Sequence, residues 1–424
     1  MQDQQTREKR SSMALIWLCW LVYSCSYIGK VNYSANINLI QEYFAIDDYL
    51  TVGFAGTLFF FAYGIGQIVN GIWCKKYNIK WMIFLSLLIS GTINLIIPLL
   101  PTFAPIKYLW VINGFSMSVL WPTLIRFLSE RLSKKYMAKA SVIMGTTVAV
   151  GTFFVYGTSA VYALFTTFKA AFYTAAAVLI GVALIWIIAL DKLDFCSDEN
   201  QSVAVDAPTQ LSADVPVGAV DKKAIYLVIC TLAICGVATN LIKDGLSTWV
   251  PAILKSMYGL DNSLSIILTL ALPLVSIFGN AFAVSVHKRM HDFVHQCAVM
   301  FFISGILIIT VIGGVSLNMV AIMLVGFAAV SLLISSCNSL ITSIFPLFMK
   351  GKVNSGLIAG VLNGFCYLGS TLSTYVLGSI ADNHGWLTVF WTLLAVCAVI
   401  SLLGLIYSLV RKYVIGAGFA QRKD

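Results

Sequence analysis

Charged residues are scarce in this sequence: Asp, Glu, Lys and Arg make up 11% of its 424 residues. Water-soluble domains carry roughly 25% charged residues. Hydrophobic residues account for 59% of the chain, and the mean hydropathy is +0.89. Because so apolar a chain cannot cover its surface within one aqueous core, the composition argues against a soluble protein and predicts many membrane spans.

The sequence also lacks the motifs on which several function classes depend. Its ten cysteines are scattered without metal-site spacing, and no P-loop, H-E-x-x-H or nucleophile–base motif is present. We therefore expect no enzymatic activity, no cofactor and no resident metal, although His287, His291 and His295 recur every four residues and leave a metal-binding face as an alternative. The start MQDQQTREKR runs into an apolar segment without a small-residue cleavage site, which predicts that no signal peptide is cleaved.

Twelve apolar segments are long enough to cross a bilayer, which takes about 20 residues. They cover approximately residues 13–38, 50–73, 80–101, 107–128, 138–162, 168–190, 224–250, 263–286, 293–314, 318–345, 353–381 and 386–410. Residues 192–222 are polar, acidic and rich in Ser, Ala and Pro, which predicts a flexible linker. The predicted fold is an all-α membrane protein with twelve transmembrane helices in two six-helix halves, residues 1–191 and 223–424.

The basic residues indicate the orientation of the spans. If the N-terminus is cytoplasmic, three lysines lie in outer loops, Lys107, Lys169 and Lys255, and two lie inside spans, Lys30 and Lys243. All other lysines and arginines then lie on the cytoplasmic side, as the positive-inside rule requires. The net charge of +9 is therefore a topology signal rather than a nucleic-acid patch. Both termini and the linker are predicted to face the cytoplasm.

The two halves resemble each other in sequence. An offset of 213 residues aligns Lys30 with Lys243, and the same offset aligns GQIVNGIWCKKY (66–77) with GNAFAVSVHKRM (279–290). An even number of spans separates the copies, so the halves are expected to be pseudo-symmetric parallel repeats with a substrate site near the bilayer midplane. Lys30 and Lys243 occupy equivalent positions and are expected to face each other across a central cavity.

A charge at mid-bilayer depth costs roughly 2.5–3.5 kcal/mol even on mild insertion scales, so both lysines are candidate substrate ligands. Snorkelling to the interface, or an ion pair with Asp244, the one acid within the predicted spans, are alternative roles. Tyr23, Tyr27 and Lys30 share one helix face at i, i+4 and i+7. The other candidate binding residues are the polar residues Asn240, Asp244, Gln67, Thr147, Asn363 and Tyr367.

Several stretches resemble the organophosphate:phosphate antiporters of the major facilitator superfamily, which include glycerol-phosphate and hexose-phosphate transporters. They are YIGKVNYS (27–34), AYGIGQIVNG (62–71), LWVINGFSMSVLWP (109–122), LIKDGLSTWVPAIL (241–254) and LNGFCYLGSTLSTYVLGSIADNHGW (362–386). The resemblance implies that Lys30 and Lys243 clamp a phosphate ester or sugar phosphate, exchanged for inorganic phosphate by alternating access. It implies a small anionic substrate and the bilayer as partners, no nucleic acid, a monomer, and a location in the inner or plasma membrane.

The sequence departs from the family at several positions. The family usually has arginine at both clamp positions, and lysine cannot offer the bidentate fork of arginine. Gln67 stands where the family has a lysine, and Thr147 where some members have a histidine. A proton-coupled symporter of a sugar acid or other carboxylate, which resembles YIGKVNYS through its pattern YIDRxNxS, and a transporter-like ligand sensor therefore remain alternatives.

Overall fold

The computed structural model describes residues 2–73, 78–165, 167–192, 222–349 and 355–410, and in this part of the chain it contains helices and no strand. The predicted linker at residues 192–222 lies, apart from its two end residues, outside the described residues.

The described residues of the first half of the chain form nine α-helices. They are α1 (Gln2–Ala35), α2 (Ile37–Tyr43), α3 (Tyr49–Trp73), α4 (Ile79–Ile96), α5 (Ala104–Met117), α6 (Leu120–Arg131), α7 (Lys134–Gly145), α8 (Thr147–Phe165) and α9 (Phe168–Lys192). A 3₁₀ turn, Ile97–Leu99, extends α4. The side chain of Asn78 caps α4 by accepting a hydrogen bond from the Lys80 amide.

The second half contains eight α-helices in the described residues. They are α10 (Lys222–Tyr258), α11 (Asn262–Thr269), α12 (Ala271–Ser276), α13 (Gly279–Met290), α14 (Phe293–Ser316), α15 (Val320–Ser339), α16 (Phe345–Phe348) and α17 (Ser355–Val410). A π-helical turn, Leu340–Ile344, joins α15 to α16. Asp261 and Asp292 cap α11 and α14 by accepting hydrogen bonds from the Leu264 and His295 amides.

The described residues contain 11 helical segments long and apolar enough to cross a membrane. The last of them, Gly360–Val410, is 51 residues long, far more than one crossing requires. Gly385 divides it, because its φ of 76° and ψ of 167° interrupt the helix in a region that favours glycine. With α17 counted as two helices, the described chain has the twelve spans that the sequence predicts.

The chain divides into two compact units, Met1–Leu211 with Leu260–Leu270, and Ser212–Gly259 with Ala271–Asp424. This division differs from the predicted halves in the short segment that contains α11, which packs in the first unit. Ile266 joins a buried cluster with Ala35, Val155, Tyr156 and Ala160. The hydroxyl of Ser263 donates to the Ala160 carbonyl at 2.8 Å, so this segment is held by apolar burial and by a hydrogen bond.

The surface of the described residues carries many large apolar side chains. Trp17, Phe61 and Trp391 are each at least half exposed, and Phe165 is 73% exposed. So many exposed large apolar side chains are unusual on soluble monomers but suit contact with lipid chains.

In the second unit, α10 and α17 approach each other closely at Gly369. A Cβ atom built on Gly369 would lie 2.0 Å from the Val237 carbonyl oxygen, which is part of the backbone and cannot move aside. Small residues allow such close approach between membrane helices. Gly369 therefore sets the distance between the two helices that carry Lys243 and Ser370.

We expect Gly369→Ala to destabilise the protein by about 1–3 kcal/mol, since an added methyl group in a tight contact forces the backbone apart. Gly360→Ala is the matched control in the same helix, because a Cβ at Gly360 meets nothing within 4 Å. Thermal unfolding of both purified variants in detergent is the measurement. Equal midpoints for the two variants would contradict the close contact.

Candidate functional site

Lys30 lies between two tyrosine rings in the first unit. Its Nζ atom is 3.9 Å from the ring centroid of Tyr63 on α3 and 5.1 Å from that of Tyr27, one turn earlier on α1. The faces of aromatic rings carry partial negative charge and attract an ammonium group at these distances. The two rings thus stabilise a cation inside an apolar span.

The other tyrosine of the predicted stripe supports this arrangement. The rings of Tyr23 and Tyr27 meet edge to face, with centroids 5.6 Å apart, and Tyr23 also packs on Trp121 at 4.6 Å. Tyr23 is buried, whereas Tyr27 and Lys30 are half-buried. The structure therefore brings Tyr23, Tyr27 and Lys30 together on one face, with Tyr23 as the inner, packing member.

The backbone beside Lys30 is anchored by a buried polar network. Asn113 on α5 donates from Nδ2 to the Gly29 carbonyl at 2.9 Å and accepts from the Ser90 hydroxyl at 2.6 Å. The Asn94 amide donates to the Ser90 carbonyl and accepts from the Asn32 amide at 2.7 Å. These bonds connect α1 to α4 and α5. They fix the position of α1 relative to its two neighbours and therefore the depth at which Lys30 lies.

Two predicted residues of the first unit have other surroundings. Thr147 is fully buried at the start of α8, and its hydroxyl donates to the Met144 carbonyl at 2.6 Å, which closes a local turn. Gln67 is half-buried one turn after Tyr63 on α3, and its amide points at the Ser118 carbonyl, 3.4 Å away. The structure places Gln67 on the helix face of Tyr63, whereas the Thr147 hydroxyl bonds locally across the junction between α7 and α8.

Lys243 in the second unit has an acidic neighbour instead of aromatic rings. Its Nζ atom lies 3.5 Å from Oδ1 of Asp244, and the two side chains are 31% and 16% exposed. This separation is longer than a charge-assisted hydrogen bond, which is typically about 2.7–2.9 Å. The pair therefore neutralises charge in the apolar span while the ammonium group keeps room for another partner.

The second oxygen of Asp244 accepts a hydrogen bond from the Ser370 hydroxyl on α17. Ser370 in turn accepts from Asn240 Nδ2 at 3.1 Å, and Asn240 Oδ1 accepts from Asn338 Nδ2 on α15 at 2.5 Å. Asn240 and Ser370 are buried. The predicted residues Asn240, Lys243 and Asp244 are thus brought together, and side chains from two further helices complete their surroundings.

Asn363 and Tyr367 lie one turn apart on α17 and are half-buried. Both have interaction partners within the protein, and the Tyr367 carbonyl also accepts from the Thr371 hydroxyl at 2.9 Å. Tyr367 precedes Ser370 by three residues, which places both on one side of the helix. A role of these two residues in binding remains a prediction.

The described residues contain no group of three or more His, Cys, Asp or Glu side chains placed to hold a metal ion. His287 contacts Gln296 Oε1 through Nδ1 at 3.1 Å and stacks on Phe293. His291 adopts a left-handed conformation at the C-terminal end of α13. Each of these two histidines thus has a packing or backbone explanation that needs no metal.

Three residues of these surroundings were not predicted as binding residues: Tyr63, Ser370 and Asn338. The sequence does indicate Tyr63, because this residue precedes the predicted binding residue Gln67 by four positions and therefore lies on the same helix face. Ser370 and Asn338 carry no comparable signal, since serines and asparagines inside spans more often bond between helices than to ligands.

Comparison with known proteins places this architecture in a family. The model of the Major Facilitator Superfamily matches residues 19–356, most of the chain, and the chain belongs to this family. The protein is therefore a multi-pass membrane protein of the transporter class, and it is not an enzyme.

Among curated proteins, the chain is similar to the membrane sensor protein UhpC of Escherichia coli (strain K12), with 22% identity over 91% of this chain and 89% of that protein. A shorter similarity, 29% identity over 20% of this chain and 19% of the relative, is to a probable hexose phosphate transport protein of Chlamydia trachomatis.

Solved structures share the fold. A bacterial homologue of the human lysosomal transporter Spinster, in an inward-facing and occupied conformation, matches with a TM-score of 0.75 and 13% identity over 93% of this chain and 96% of that chain. A D-xylose–proton symporter matches with a TM-score of 0.71 and 10% identity over 93% of this chain and 97% of that chain. At these identities the structures support the fold and not the substrate.

We expect Asn113→Ala to destabilise the protein by about 1–3 kcal/mol, because it removes the side-chain acceptor of the buried Ser90 hydroxyl and the side-chain donor to the Gly29 carbonyl. Thr92→Ala on the exposed side of α4 is the control, since its hydroxyl donates only within its own helix, to the Leu88 carbonyl. Thermal unfolding in detergent compares the two variants, and an unchanged midpoint in Asn113→Ala would contradict the anchoring role.

Proposed function

We propose that the protein is a secondary active transporter of a small organic anion, a phosphate ester or sugar phosphate that it exchanges for inorganic phosphate by alternating access. The observation that carries the proposal is the pair of lysines at equivalent positions in the first span of each repeat, 213 residues apart. Each has half-buried, polar or aromatic surroundings within its own unit. We propose that Lys30 and Lys243 both bind the transported anion.

The charge of the candidate residues favours a doubly negative substrate. Two lysines and one aspartate leave an excess of one positive charge. Interactions between charges are several-fold stronger in a partly apolar protein environment than in bulk water. A phosphate monoester carries close to two negative charges at neutral pH, so it gains more from this site than a monocarboxylate does.

The relatives support the substrate class. The Chlamydia trachomatis relative is named a probable hexose phosphate transport protein, and its similarity to this chain extends over 87 residues. We take a hexose phosphate as the first substrate to test, with glycerol phosphate and inorganic phosphate beside it.

Obligatory exchange follows from the cost of an empty site. Without an anion, ammonium groups in apolar spans depend on internal partners, and reorientation of the loaded protein is easier than that of the empty one. A proton-coupled symporter of a sugar acid or other carboxylate is the alternative mechanism. It requires a protonatable group beside the substrate, and Asp244 is the candidate.

A ligand sensor is a second candidate function, because the relatives similar over most of this chain are named membrane sensor proteins. A sensor and a transporter need the same anion site, but only a transporter moves the anion. Flux in proteoliposomes, measured beside binding, separates the two: binding without flux identifies the sensor.

The distribution of basic residues supports a location in the inner or plasma membrane with both termini in the cytoplasm. We propose that the protein works as a monomer, with the lipid bilayer as its other partner. Protease protection of tags at both ends in oriented membrane vesicles tests the orientation.

We expect Lys30→Ala and Lys243→Ala each to lower anion exchange by about 100-fold or more, because removal of one charge from a desolvated contact costs several kcal/mol. Exchange of labelled hexose 6-phosphate for phosphate in proteoliposomes is the measurement. Lys107→Ala is the control, since Lys107 belongs to the first turn of α5, outside the proposed site. Near-normal exchange by either membrane-lysine variant would refute the site assignment.

Asp244→Asn distinguishes exchange from proton coupling. If Asp244 only neutralises a lysine in the empty site, the variant keeps exchange and binds the anion more tightly, because a competing negative charge is gone. Uptake is measured with and without an inward proton gradient, in wild type and variant. Gradient-driven accumulation in the wild type that disappears in Asp244→Asn would establish symport and refute obligatory exchange.

A further inference from the structure

The hydrogen bonds that lead to Asp244 all run in one direction. The Asn338 amide donates to Asn240, the Asn240 amide donates to Ser370, and the Ser370 hydroxyl donates to Oδ2 of Asp244. Each side chain thus uses its donor toward Asp244 and its acceptor away from it. Hydrogen bonds in such a chain polarise one another, and the charged carboxylate at the end strengthens the effect.

This series of hydrogen bonds begins at Asn338, beside an irregular turn of the helix. Asn338 lies two residues before the π-helical turn Leu340–Ile344, and the Thr342 hydroxyl in this turn donates to the Asn338 carbonyl at 2.8 Å. π-Helical turns interrupt the regular bonding of a helix and are frequent at functional sites. The close approach of α10 and α17 at Gly369 brings the next residue, Ser370, within reach of Asn240 and Asp244.

The two carboxylate oxygens of Asp244 consequently have different partners. Oδ2 is occupied by Ser370, whereas Oδ1 lies 3.5 Å from Lys243 Nζ, at the long end of ion-pair distances. A carboxylate held through one oxygen cannot turn to grip the ammonium group with both. The carboxylate of Asp244 is therefore only a weak partner of Lys243, and another anion is able to take its place.

We propose that Asp244 is a resident substitute for the transported anion, and that Ser370, Asn240 and Asn338 are positioning residues that hold its carboxylate back from Lys243. When a substrate anion binds Lys243, Asp244 stays on Ser370 instead of following the ammonium group. This inference rests on the proposed function, because it assumes that Lys243 binds the transported anion.

The proposal predicts the effect of removing the hydroxyl donor. In Ser370→Ala, Asp244 is free to turn and pair more tightly with Lys243, so the Michaelis constant for the anion rises about fivefold, the equivalent of one lost hydrogen bond, while the maximal exchange rate changes little. Ser370→Thr keeps the hydroxyl and restores the wild-type constant. Ser373→Ala is the matched control on the same helix, because its hydroxyl donates to the Ser370 carbonyl and not to Asp244.

A double-mutant cycle tests whether Ser370 acts through Asp244. In the Asp244→Asn background, Ser370→Ala is expected to leave the Michaelis constant unchanged, since no carboxylate remains to compete for Lys243. An equal rise in both backgrounds would overturn the proposal, because Ser370 would then act on the anion itself or on the packing. An unchanged constant in the single variant would overturn it as well.

A measurement without substrate separates this inference from the proposed function. The rate at which acetic anhydride modifies Lys243, quantified by mass spectrometry relative to Lys107 in the same molecule, reports how tightly Asp244 holds the amine. Modification of Lys243 is expected to be several-fold slower in Ser370→Ala than in the wild type. Asp244→Asn and the double variant are expected to react at the same rate as each other. If this pattern appears without phosphate exchange, the positioning of Asp244 by Ser370 stands but the proposed function fails, and with it the role of Asp244 as a substitute for the transported anion. If exchange occurs without the pattern, the inference fails alone.

Discussion

The cost of holding an ammonium group inside an apolar span determines most of the candidate site. A lysine in such a place is kept only where nearby groups lower that cost. The two units do so in different ways. Lys30 has the faces of Tyr27 and Tyr63, whereas Lys243 has the carboxylate of Asp244. In the proposed site, Asp244 therefore competes with the incoming anion for Lys243, whereas the two aromatic rings carry no full charge that would compete at Lys30.

Buried polar side chains serve two purposes in this protein. In the first unit, Asn113, Ser90 and Asn94 bond to one another and to the Gly29 carbonyl, so they anchor the helix that carries Lys30. In the second unit, the amides and the hydroxyl lead to a charged group. Bonds between membrane helices contribute only about 0.6–2 kcal/mol each. The first network therefore stabilises the fold, and we assign the second a role in positioning charge.

The proposed transporter and the alternative ligand sensor share the same first event, which is the capture of an anion by cationic side chains in apolar surroundings. The fold, shared at TM-scores of 0.71–0.75 with solved transporters, supplies the twelve helices but does not select the ligand. Selection depends on a few side chains, and in the proposed site lysines stand where the antiporters that this sequence resembles usually have arginines. A compact ammonium group offers less geometric discrimination among anions than a planar guanidinium does.

The sequence by itself determined the spans, the repeat and the two membrane lysines. Hydropathy and isolated charge are local properties, so apolar runs and a lysine within one are visible without any tertiary contact. The glycine break that separates the last two spans was predictable for the same reason, since residues 382–385 interrupt the apolar run. Only the tertiary structure decided which groups meet these lysines. Ser370 is 126 residues from Asp244, and Asn338 is 98 residues from Asn240, so neither pairing follows from local spacing. Thr147 has the same polarity as Ser370, but its hydroxyl bonds within its own turn, because helix packing and not residue type decides where a short polar side chain finds its partner.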